Sequence, residues 1–178
     1  YRERTHVEEL HDDGTVKGSL IRTWAITRSK TGQLTRKLLS TERTGEISDM
    51  FAKDPKDPSA KERKAQRSPF HPELQGQYRF KLAAVTDKGL RVAFEPLERS
   101  DKRLDGTAFV DPARLALTSM SGAPSKLPPM VEQLELGFRY ASTACGVLPV
   151  HIRVKGAGGF LFFKARFRSE TWHTGHTR

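Results

Sequence analysis

Between residues 147 and 168 the chain alternates apolar and basic side chains through two successive runs. Val150, Ile152 and Val154 alternate with His151, Arg153 and Lys155. After Gly156-Ala157-Gly158-Gly159, Phe163, Ala165 and Phe167 alternate with Lys164, Arg166 and Arg168. Neighbouring side chains on a strand point to opposite faces, so this pattern makes a ribbon with one oily and one cationic face. The glycine run between the two halves predicts the hairpin turn. An antiparallel sheet of this kind has to cover its apolar face with a second sheet, a helix or a ligand.

The same device recurs along most of the chain. Residues 1–10 read as a strand, Asp12-Asp13-Gly14 as a turn, and 16–28 as a second strand with Leu20, Trp24 and Ile26 on one face. Lys30-Thr31-Gly32-Gln33 predicts another turn, and 34–41 runs back with Leu34 and Leu38 on one side. From 44 to 77 the alternation stops. One helical turn is expected at Asp49-Met50-Phe51-Ala52. Asp54-Pro55 and Asp57-Pro58 break the chain, and SAKERKAQR over 59–67 is a helix former without an apolar stripe. A connection this long in one domain is a lid or an excursion. Strands resume with Tyr78, Phe80 and Leu82, then Leu90, Val92 and Phe94, ended by Pro96. After a polar loop over 97–105 come Gly106 to Asp111, a turn at Asp111-Pro112, and Leu115 with Leu117. Residues 121–129 predict a Gly/Pro/Ser loop, and Leu134, Leu136, Phe138 and Tyr140 alternate most cleanly of all. Some ten strands joined by short loops predict a mainly β, antiparallel sheet in one domain, without βαβ units.

A length of 178 residues suffices for a real core. No run of 18 apolar residues occurs, so no transmembrane helix is expected. Cys145 is the sole cysteine, which removes an internal disulfide and a cysteine-built metal site. Lys and Arg number 31 against 21 Asp and Glu, a net charge of +10 that favours anionic partners: nucleic acid, anionic lipid or an acidic protein. The chemistry-bearing motifs are sparse. His173 and His176 form the only close histidine pair and are expected on a flexible tail, without a metal role. Glu8-Glu9 and Asp12-Asp13 read as solubilising acids beside turns. No GxSxG, Walker, HExxH or zinc-ribbon spacing is present, so neither catalytic residues nor a cofactor is expected.

Two faces remain as candidates. The apolar one comprises Leu20, Trp24, Ile26, Phe80, Leu82, Val92, Phe94, Leu134, Leu136, Phe138, Phe163 and Phe167. These residues either line a lipid cavity or serve as plain core, since burial of each contributes about 1.5–3 kcal/mol by itself. The basic one comprises Arg153, Lys155, Lys164, Arg166 and Arg168, to which the insertion adds Lys53, Lys56, Lys61, Arg63, Lys64 and Arg67. It is either a solvated exterior or a surface for anionic membrane or protein. Phe160 and Phe162 beside these bases would allow base stacking, although nucleic acid is the weaker option. Lysines and arginines are expected on the outside of the sheet throughout.

Four stretches carry a family likeness: residues 1–28, the central pair over 75–96, GTAFVDPARLALTSMSG, and LPVHIRVKGAGGFLFFKARFRSETW. The Phe109-Val110-Asp111-Pro112 turn and Leu148-Pro149 before the last hairpin resemble those of bacterial outer-membrane lipoprotein carriers and receptors, the LolA/LolB-like superfamily, and especially its lipoprotein-sorting-protein-like members. The resemblance implies an incomplete barrel of ten or eleven strongly curved antiparallel strands, a single domain over 1–178, with 44–77 as a helical lid across the open side. It also implies export to the periplasm or outer membrane and an apolar cavity for the acyl chain of a lipid or lipoprotein; a monomer is expected. The insertion is shorter, more basic and more Pro-broken than the carriers' helices, and no carrier residue is transferred to this chain. The other expectation is a periplasmic scaffold or sensor that binds a protein partner through the basic insertion and terminal hairpin. Whether a leader or lipid anchor precedes Tyr1 is left open by the sequence.

Overall fold

The computed structural model describes residues 1–28, 34–52, 68–87, 89–143, 146–160 and 163–175. Ten antiparallel strands form one sheet that does not close on itself, an incomplete barrel. They are β1 (Arg2–Leu10), β2 (Val16–Arg28), β3 (Leu34–Gly45), β4 (Tyr78–Thr86), β5 (Gly89–Pro96), β6 (Leu104–Asp111), β7 (Ala116–Pro124), β8 (Val131–Thr143), β9 (Gly146–Phe160) and β10 (Phe163–Thr174). Among the described residues, two single-turn helices, α1 (Asp49–Ala52) and α2 (Pro72–Gln75), lie between β3 and β4. Strand order is β3-β2-β1-β10-β9-β8-β7-β6-β5-β4.

That order explains the insertion. β3 and β4 are consecutive in sequence but occupy opposite edges of the sheet. The chain between them therefore has to cross from one edge to the other. Its described parts lie on one face, hereafter the inner face. Ser48 and Phe51 touch β1, β2 and β10 through Glu9, Arg22 and Phe167. Phe70 packs on Phe80 of β4 and Phe94 of β5, while Ser68 shares a hydrogen bond with Tyr140 of β8. The expected helix over 59–67, the basic residues Lys53 to Arg67 and the turn at Lys30-Gln33 lie outside the described residues, as do Cys145, Phe162 and His176.

Two apolar centres hold the inner face. Phe94, Leu104, Ala108 and Met120 are buried together, with Phe70, Tyr78, Leu117, Leu136, Phe138 and Tyr140 packed around them. On β2, Leu20, Trp24 and Ile26 are buried along with Ile47 of the crossing segment.

Several sequence expectations need correction. The glycines 156–159 are not the hairpin turn. β9 runs straight through them to Phe160, and Gly156, Gly158 and Gly159 pair with Phe167, Ala165 and Lys164. The glycines are required by close approach: a Cβ on Gly158 would fall 2.3 Å from the Met130 carbonyl oxygen. Residues 121–124 likewise continue β7 where a loop was expected, because Gly122 opposite Gly106 allows the strands to draw together. β3 extends four residues further than expected, to Gly45 with φ of 67°. Leu115 belongs to the turn, is 85% exposed and has positive φ. His173 is not in a loose tail but in β10, where it faces Glu3 at 3.6 Å and the Pro149 carbonyl at 3.1 Å. α2 was not anticipated, although His71-Pro72 carries its signal: His71 Nδ1 accepts from Glu73 N–H and Pro72 opens the first turn.

A candidate apolar pocket under the crossing segment

Cross-strand register divides the inner face into two halves. One row reads Leu82, Val92, Ala108, Met120, Phe138 and Ile152 from β4 to β9. It then continues as Thr171, Thr5, Arg22 and Thr41 from β10 to β3. The apolar half matches the alternation in the sequence. The other half overturns the expectation that every charge sits outside. Glu3, Glu9, Arg22, Arg36 and Arg43 share the face of Leu20 and Trp24. The two carboxylates are ion-paired, Glu3 with Arg36 and Glu9 with Lys17, as half-buried charges require, while Arg22 and Arg43 donate to backbone carbonyls. Arg36 pairs with Glu3 and lies over the Trp24 indole, 4.2 Å from its centroid. Burial pushes the Glu3 carboxyl up, but His173 and Arg36 outweigh it and hold Glu3 below the ordinary carboxylate range.

Three of these charges anchor the crossing segment. Glu9, only 4% exposed, accepts Ser48 N–H at 2.6 Å and faces Lys17 Nζ at 3.2 Å. Burial raises its pKa, yet the Ser48 amide and Lys17 lower it further, so Glu9 is held ionised. Arg43 donates to the Ile47 carbonyl at 2.7 Å, and Arg22 reaches the Phe51 carbonyl at 3.5 Å. The segment so fixed carries Met50 and Phe51 over β10.

Beneath them lies a pocket of about 400 Å3. Met50, Phe51 and Met130 form its rim, Leu134, Ala165 and Phe167 its wall, and Gly158 part of its floor. Phe51 and Phe167 meet with centroids 5.3 Å apart. The lining is apolar apart from Gln133 and backbone. A second cavity, about 470 Å3, opens between Asp105, Thr107 and Ser121 on one side and Arg153 and Lys155 on the other, and mixes charged side chains with apolar surface from Ala123 and Leu136.

The candidate residues thus divide. Leu134 and Phe167 line the pocket. Phe94, Leu136 and Phe138 belong to the core, and Val92 lies beside it by register. Leu20, Trp24 and Ile26 are buried under the charged half. Phe80 and Leu82 stand at the β4 edge, 38% and 57% exposed. Phe163 pairs with Phe160 in the ladder, and the side chains of both lie outside what is described. Met50, Phe51, Met130 and Ala165 were missed by sequence reasoning. The first three lie outside alternating runs, and nothing local brings Met130 to β9. Its positive φ of 68° and the bond from Gly159 N–H to its carbonyl do so.

Arg153, Lys155, Lys164, Arg166 and Arg168 do share the outer face. Acids neutralise part of it: Arg153 pairs with Glu170 at 3.1 Å, Arg166 with Asp12 at 3.7 Å, and Arg168 with Glu8. Alongside, His151 stacks on Trp172 at 5.3 Å, and Arg4 covers the same indole. No helix among the described residues is long and apolar enough to cross a membrane. No family model, curated protein or solved structure matches the chain.

Proposed function

We propose that this protein is a non-enzymatic binding protein of the bacterial envelope, periplasmic or attached to the outer membrane, that takes the acyl chain of a lipid or lipoprotein. The observation that carries the proposal is the apolar pocket of about 400 Å3 between the crossing segment and β8–β10. Its volume falls within the range of small-ligand sites, ~300–1,000 Å3. Two methionines on its rim supply adaptable, polarisable contacts suited to a flexible chain. Each methylene taken from water contributes roughly 0.8 kcal/mol, so burial of several methylenes of an acyl chain gives measurable affinity. The charged half of the inner face lies next to the pocket, since Glu9 is opposite Phe167 in the ladder. An amphiphile would meet both environments.

Titration of the purified chain with a fluorescent fatty-acid probe tests this reading, alongside native mass spectrometry of protein from the envelope. Saturable binding that is lost in Ala165→Trp, which fills the pocket, is expected. Absence of saturable binding, with folding intact, would sink it.

A further inference from the structure

The sheet ends at β4 with its apolar wall unfinished. Phe80, Leu82 and Val85 are 38%, 57% and 71% exposed. All three belong to the inner face. Phe80 pairs with Phe94, Leu82 with Val92 and Val85 with Leu90, and a bulge between Leu82 and Ala84 keeps Val85 in phase despite its odd spacing. Among the described residues no strand pairs with the outer edge of β4. A strand edge without a neighbouring strand is a template for one more. The opposite face of the same edge is basic. Arg79 is exposed and pairs with Glu95 at 3.5 Å, whereas Lys81 faces Ala93 and has no ion pair among the described residues.

We infer that the β4 edge takes up an extended segment of an acidic partner protein, one that alternates apolar residues with Glu or Asp. Apolar side chains of that segment continue the wall past Phe80 and Leu82. Its carboxylates stand opposite Arg79 and Lys81, and opposite charges across a ladder are stabilising whereas like charges are not. The same rule disfavours a second copy of this chain. Pairing β4 with β4 would bring two sets of Arg79 and Lys81 onto one face. Pairing β4 with β3 would set Arg36 and Arg43 beside the exposed apolar row, because they lie on the inner face of β3. A net charge of +10 opposes self-association further. This edge is separate from the pocket under Phe51, so the inference stands or falls independently of lipid binding.

The test is fluorescence anisotropy with labelled peptides of about nine residues, the length of β4. One peptide alternates Val with Glu, another Val with Lys, and a third is the acidic peptide N-methylated at every second residue. The acidic peptide is expected to bind and the basic one not. N-methylation, which deletes ladder donors, is expected to abolish binding. Lys81→Glu, at an exposed position, is expected to weaken the acidic peptide by about two- to five-fold and to strengthen the basic one to a similar degree. Far-UV circular dichroism and an unchanged melt confirm that the variant is folded. The inference is overturned by equal binding of both peptides, by binding indifferent to N-methylation, or by no binding at all. Sedimentation showing a dimer that Lys81→Glu dissolves would overturn it in favour of a second copy.

Discussion

Gly156 lies directly under the ring of Phe167. A Cβ placed on Gly156 would sit 2.5 Å from Phe167 Cε1 and 2.7 Å from Cζ. These residues face each other across the β9–β10 ladder, and Phe167 is one wall of the pocket. The missing side chain on β9 is what lets the ring lie flat on the sheet. In Gly156→Ala the ring has to tilt away from the sheet and into the pocket. Overpacking of this kind costs roughly 1–3 kcal/mol. Urea melts are expected to show that loss, and a fatty-acid probe is expected to bind more weakly. Full retention of both properties would mean that the ring has room which the geometry denies it.

Gly158 presents a harder obstacle. The nearest atom to its hypothetical Cβ is the Met130 backbone oxygen, at 2.3 Å, and no rotamer change relieves a clash with backbone. Gly158→Ala is therefore expected to lose more stability than Gly156→Ala, and to loosen the rim at Met130. Gly137 is the matched control. Its Cβ would meet only Arg153 Cβ, at 3.8 Å. There Ala is expected to fall within about 0.5 kcal/mol of the natural protein or to gain slightly, because glycine in a strand carries an entropic cost. Three chemical melts settle the order.

These glycines also mark where the sequence stopped being legible. Nearly every strand could be read from alternation, because a half-buried strand writes its two faces into consecutive residues. The signal fails where side chains vanish. Gly156-Ala157-Gly158-Gly159 and Ser121-Gly122-Ala123-Pro124 look like turns because they lack large residues, and they lack them because backbone or ring comes within contact distance. Only the tertiary fold supplies that reason. The pocket was half legible for a similar cause. Leu134 and Phe167 sit on alternating strands, but Met50, Phe51 and Met130 arrive from irregular segments whose path is set by strand order. The inner charges were visible as letters, since Arg22 stands between Leu20 and Trp24 on one face. Their role was not, because it depends on Ile47, Ser48 and Phe51 lying across them.

The two environments of the inner wall predict different mutational costs. Phe94 is 2% exposed within the main cluster and touches both Phe70 and Tyr78. Phe94→Ala removes this packing and is expected to cost about 3–5 kcal/mol. Leu82 is on the neighbouring strand and the same face but 57% exposed. Leu82→Ala is expected to cost well under half as much. Comparable losses at the two positions would mean that β4 is covered in solution, contrary to a free edge.

Acid sensitivity follows from Glu9 and Glu3, whose pKa values are lowered on folding. For both, burial by itself raises the pKa, but the Ser48 amide and Lys17 at Glu9, and His173 and Arg36 at Glu3, more than reverse it. A carboxyl with a depressed native pKa binds protons more readily in the unfolded chain. Its stabilising contribution is therefore complete above the unfolded value, about 4.3, and disappears as pH falls from there through the lowered native value. Stability is expected to be flat in this respect near neutrality and to drop steeply below about pH 5. Glu9→Gln keeps an acceptor for Ser48 but removes the charge facing Lys17. It is expected to lose about 1–3 kcal/mol at pH 7 and to show a shallower acid slope than the natural protein. Its effect on the pocket separates the two roles of this carboxylate. If Glu9 fixes the crossing segment, Glu9→Gln also weakens acyl-probe binding at pH 7, although Glu9 does not line the pocket. Urea melts from pH 7 down to 3, with probe titrations at the upper end, measure all three quantities. A Glu9→Gln protein with the natural acid slope would show that the carboxylate does not govern the acid transition.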